Sequence, residues 1–165
     1  MSIRETINKI LKIIFGELTT TLIILPILAT ITITLRKTVR VNIANKLEFT
    51  TYIATGLDIY LGLRFQTDKS KLYLLMVSDL GIKTVTMQNV LYDLAIMALE
   101  PLTYNTMPQQ QQQQQQFIIK EVIHGIANTG TYSFTKAYKY VLEIPYEEFV
   151  NANIQINDIV TITFI

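Results

Sequence analysis

The side chains able to do chemistry are few in this 165-residue chain, and they are scattered. His124 is the one histidine, so neither a histidine pair nor a histidine-rich metal site can form. The chain has no cysteine, which removes thiolate ligands and disulfides as well. Nucleophilic catalysis would need an activated serine, but Ser2, Ser70, Ser78 and Ser133 lie in no Gly-x-Ser-x-Gly turn. No glycine-rich phosphate loop or dinucleotide fingerprint occurs. Acid–base hydrolysis would need two carboxyl groups facing one bond. Glu147 and Glu148 are neighbours that point in different directions, and after Pro145-Tyr146 they read as the exposed start of a helical turn. His124 sits in the apolar run Val122-Ile123-His124-Gly125-Ile126 and reads as structural. The expectation is a protein that is not an enzyme, with no metal, no cofactor and no small-molecule substrate.

Charge is distributed more tellingly than chemistry. Residues 1–46 carry seven basic side chains against Glu5 and Glu17, whereas residues 47–165 carry seven basic and eleven acidic ones. A basic N-terminal part suggests an anionic counterpart, nucleic acid or a lipid surface. Its candidate contacts are Arg4, Lys9, Lys12, Arg36, Lys37 and Arg40.

The elements that would position these charges follow from periodicity. Ser2 and Glu5 have capping-box spacing, and Ile3, Ile7, Ile10, Leu11, Ile14 and Phe15 form one apolar stripe that ends near Gly16. Residues 1–16 therefore read as an amphipathic helical arm with those six residues as its packing face. From Ala29 to Ile43, apolar residues alternate with Thr, Arg and Asn, broken only at Lys37, which describes a long strand with one buried face. The same region holds eighteen uncharged residues, Leu18 to Leu35, long enough to span a membrane. Their richness in Thr and Ile favours the strand.

Beyond it, Leu47 to Ile53 and an alternation from Leu57 to Phe65 read as strands. Leu72 to Val77 and Ile82 to Met87 read as two more around a turn at Ser78–Gly81. Asn89 to Leu99 fits a helix through Leu91, Leu94, Ala95 and Ala98. Phe117 to Ile126, Tyr132 to Ile144 and Ile154 to Phe164 complete the set. Tyr132, Phe134, Tyr138, Tyr140 and Leu142 share one face of a regular strand, which makes them core. Pro108 and the eight glutamines that follow it read as a solvated loop at 108–116. The expected fold is mainly β: an antiparallel β-sandwich of about eight or nine strands over residues 17–165.

The Ser2–Phe15 arm, the paired strand runs, the closing segment Val141–Phe149 and the last stretch Asn153 to Phe164 together resemble the single jelly-roll capsid proteins of icosahedral viruses, particularly those of archaeal membrane-containing viruses. The resemblance is architectural and spans the whole chain. It implies a self-assembling coat subunit in a virion, with copies of itself and other virion proteins as partners. The basic arm would then face an internal lipid membrane or the genomic nucleic acid. Two other readings stand beside it: a membrane-anchored β-sandwich of a cell-surface filament, with Leu18–Leu35 as the span, and a ligand-binding β-sandwich module.

Overall fold

The computed structural model describes residues 37–102 and 114–165. They belong to one compact unit, Lys37–Ile165. The arm face Ile3, Ile7, Ile10, Leu11, Ile14 and Phe15, the uncharged run Leu18–Leu35 and most of the glutamine tract lie outside the described residues. Among the described residues no helix is long and apolar enough to cross a membrane.

The alternation holds where it can be followed. In β1 (Thr38–Ile43), Val39, Val41 and Ile43 are fully buried, while Thr38 and Arg40 are exposed and Asn42 is half-buried. Ala44 and Asn45 both have positive φ, and the Lys46 N–H donates to the Ile43 carbonyl at 2.8 Å, closing a tight hairpin into β2 (Leu47–Ala54). The remaining strands are β3 (Leu74–Thr86), β4 (Leu94–Pro101), β5 (Gln114–Gly125), β6 (Thr131–Pro145) and β7 (Ile159–Phe164). Two short helices join them, α1 (Leu57–Leu61) and α2 (Tyr146–Asn151), with a 3-10 turn at Lys69–Lys71.

The strands form one closed sheet, in the order β1-β2-β3-β6-β4-β5-β7, where an antiparallel sandwich of two facing sheets is expected from the sequence. One pair, β2 with β3, is parallel. A parallel pair needs a crossover, and residues 55–73, including α1 and the 3-10 turn, supply it. β3 and β6 are long, and register shifts bend their pairing between Val77 and Thr84. Pairing of β1 with β7 shuts the ring.

Closure creates two cores. Val39, Val41, Ile43, Leu75, Met97, Phe117, Leu142, Ile144 and Ile162 pack inside the barrel. Leu74, Met76, Ile96, Ala98 and Val141, from the opposite faces of β3, β4 and β6, form a second core with Leu63, Leu72, Met87 and Val90 from the connecting segments. β4 is therefore buried on both sides, which explains why Leu94–Leu99 lacks a two-residue period. Its helix-forming composition is overridden by pairing with β5 and β6.

Four further expectations are corrected. The alternation from Leu57 to Phe65 folds as α1 and turns, because Gly56 and Gly62 take positive φ at either end and interrupt extension. Ser78–Gly81 is an outward bulge within a single β3, with Gly81 at φ +77° and Leu80 96% exposed. The aromatic face of β6 divides: Phe134 and Tyr138 join the outer core, whereas Tyr140 and Leu142 join the inner one. An irregularity in pairing swaps the faces, as any one-residue slip must. The end of the glutamine tract is also strand, with Gln114–Gln116 paired to Thr161–Thr163 of β7.

Candidate functional site

Glu143 is the anomaly of the outer core. It lies on β6 between two cross-strand partners, Leu74 of β3 and Ile96 of β4, both fully buried. The carboxyl-bearing residue itself is only 3% exposed. No hydrogen bond or ion pair reaches it among the described residues. Burial alone pushes its carboxyl from 4.5 up to about 7, since nothing compensates the lost hydration of the charge.

The group is not sealed in. It lines a cleft of about 300 Å³ between the outer sheet face and the crossover. Met76, Ile82 and Val90, all buried, give the cleft an apolar wall. Thr84, Thr86 and Thr131 bring hydroxyl-bearing side chains to it from β3 and β6. The turn after α1 brings Arg64, which is half-buried and likewise makes no ion pair among the described residues. Tyr60 and Leu61, also in the lining, are 75% and 62% exposed and form an apolar lip. The local reason is the pair of positive-φ glycines around α1, which turn the chain sharply and leave the helix resting over the sheet instead of pairing with it.

A second cleft, of about 260 Å³, contrasts in its chemistry. Two of its three carboxylates, Glu148 and Asp93, are engaged. Glu148 accepts the Tyr73 hydroxyl at 2.5 Å, and burial together with this carboxylate raises the phenol. Asp93 accepts the Ala127 N–H at 2.8 Å, and this bond, helped by the facing His124 ring, holds its carboxyl below the usual range. No group of three or more metal-ligating side chains occurs among the described residues.

The cations singled out by the sequence do not meet at either cleft. Lys37 and Arg40 are exposed at the start of the barrel, and Arg40 lies 3.7 Å from Glu48 across the hairpin. Lys46, counted in the same basic excess, bonds Asp158 at 2.7 Å and the Asn153 carbonyl at 2.9 Å. Arg4, Lys9, Lys12 and Arg36 lie outside the described residues. Glu143 has one visible sequence signal, a single charge inside Val141-Leu142-Glu143-Ile144. That pattern normally marks a solvent face, and only the covering crossover makes it a buried one.

The chemistry available is proton exchange near neutrality and hydrogen bonding at Glu143, with an anion contact at Arg64. No family model matches the chain, and no curated protein matches it. Solved structures do share the fold. A protein of unknown function from Novosphingobium aromaticivorans DSM 12444 superposes with a TM-score of 0.53 at 13% identity, over 75% of this chain and 82% of that one. A protein from Sinorhizobium meliloti 1021 that is described as a "putative transcription regulator" gives 0.52 at 12%, over 76% of this chain and 92% of that one. At these identities the likeness speaks for the fold alone.

Proposed function

We propose that residues 37–165 form a binding module whose outer cleft takes a small molecule, without chemical conversion of it. The observation that carries this reading is the unpaired carboxyl of Glu143 at the cleft wall. With no hydrogen bond of their own, its oxygens open onto the cleft, where a ligand's donor can reach them. The cleft volume lies at the lower end of the range usual for small-ligand sites. A thermal-shift screen of the purified chain tests it: compounds that raise the midpoint for the natural sequence but not for Glu143→Leu support the reading. A screen of polar metabolite-sized compounds with no such hit defeats it.

Self-association is the second reading, and it retains the coat-subunit role in a virion. Exposed apolar side chains favour it, among them Leu80 at 96% and Phe65 at 70%. Because the sheet is closed, subunits would join through side-chain surfaces in place of strand edges. In that role Arg4, Lys9, Lys12, Arg36, Lys37 and Arg40 would contact lipid headgroups or nucleic acid. Negative-stain microscopy and sedimentation decide it: shells or lattices support the role, a strict monomer at all concentrations removes it.

A further inference from the structure

We propose that the Glu143 cleft selects an ampholyte, a small molecule with an ammonium or similar N–H donor at one end and an anionic group at the other. The proposal rests on the binding reading above and adds the ligand class.

Three observations lead to it. The cleft is lined by one carboxyl and one guanidinium, Glu143 and Arg64. They do not neutralise each other, since no ion pair joins them, and neither has another ionic partner among the described residues. Met76 and Ile82, both buried, give the same cleft an apolar wall. Two opposite charges that line one cleft without pairing with each other are both answered by a molecule carrying the complementary pair, with a short aliphatic spacer against the wall. A purely cationic ligand would leave Arg64 unanswered, and a purely anionic one would place its charge beside Glu143.

The burial of Glu143 fixes the ligand's orientation. The donor end goes inward, because a carboxylate removed from water gains most from a charge-assisted hydrogen bond. The anionic end goes outward to Arg64, whose planar guanidinium suits a carboxylate or phosphate. The titratable and charged groups that share the lining with Glu143 are Arg64 and Tyr60; Leu74, Met76 and Ile96 face it from β3 and β4 and carry none. Binding an ammonium requires the ionised carboxylate, and free Glu143 is half-protonated near pH 7. Affinity is therefore highest above that pH and declines about tenfold per pH unit below it.

The test uses titration calorimetry on the full chain at pH 8. The probes are ω-amino acids of graded chain length, with butylamine, butyrate and a neutral diol as controls. One chain length is expected to bind about tenfold to a hundredfold more tightly than either single-ended control, the value of one charge-assisted contact. Glu143→Gln and Arg64→Gln should each remove that advantage while the circular dichroism spectrum stays unchanged. Butylamine or butyrate binding as tightly as every ω-amino acid overturns the ampholyte class and leaves the binding module standing, as does a Glu143-dependent diol signal alone. Silence from all probes, together with no hit in the thermal-shift screen, removes both.

Discussion

The imidazole of His124 lies flat on the ring of Tyr146, with centroids 3.5 Å apart and planes 5° from parallel. On its other side, Nε2 is 3.1 Å from Asp93 Oδ2. The Tyr146 N–H also donates to the Asp93 carbonyl at 3.0 Å, so one cluster fastens the end of β5, the start of β4 and the first residue of α2. The lone histidine is thus a fastener, as its setting in an apolar run suggests.

His124→Ala should lower stability by about 0.5–1.5 kcal/mol, the worth of a stacked ring pair. His124→Phe should retain most of it, because the carboxylate pair is 40–45% exposed and adds little. Urea unfolding of the two variants gives the comparison. Equal losses would assign the effect to Asp93 instead of to stacking.

Glu143 predicts a pH dependence of opposite sign to the usual carboxylate. Its carboxyl is raised in the folded state from 4.5 to about 7, so the folded protein holds the proton more tightly. Stability is full below about 4.5, falls as pH rises to about 7, and is then level, a total on the order of 3 kcal/mol. Glu143→Gln should remove this slope, and Glu143→Met should be more stable than the natural sequence at pH 8. Urea midpoints from pH 4 to 8 measure both. A slope that survives Glu143→Gln would place its origin elsewhere.

Gly81 should tolerate no side chain. Its φ of +77° suits glycine, and an added Cβ would stand 2.9 Å from the Ala137 Cβ. Gly81→Ala is expected to cost about 1–3 kcal/mol. Adding Ala137→Gly should recover the contact part and leave the backbone part, so the double variant should melt between the other two. Full recovery would mean that the backbone strain contributes nothing.

Leu142→Ala and Leu80→Ser should separate core from surface. Leu142 is fully buried inside the barrel and its truncation should cost about 2–5 kcal/mol. Leu80, at 96% exposure, should change stability by no more than about 0.5 kcal/mol. Calorimetric melts check the pair. If the chain assembles, Leu80→Ser should weaken assembly without changing the melt of the monomer.

The legible parts of the fold were those decided locally. Thr38–Ile43 alternates because one side faces a core and the other water, and that contrast is written in residue type. Glu147 and Glu148 do lie in a short helical turn, α2. Leu57–Phe65 misled because alternation says nothing of the glycines that break it at Gly56 and Gly62. Leu94–Leu99 misled because a strand covered on both faces loses its period. The cleft was illegible for the same kind of reason. Glu143 looks like a wet-face residue until the crossover is known to lie over it, and Arg64 comes to the same cleft only through tertiary placement.

The shutting of the ring by β1 and β7 has a consequence for synthesis. Those strands come from opposite ends of the described chain, so on the ribosome the barrel stays an open ribbon until the last of them emerges. Until then β1 and the glutamine-bearing start of β5 each lack a neighbour, and Gln114–Gln116 offer a bare amide ladder. A nascent chain in that state can recruit another on the same messenger as readily as it waits for its own β7. Slow translation or high expression should therefore send this protein to aggregates made during synthesis, even where the finished molecule is stable.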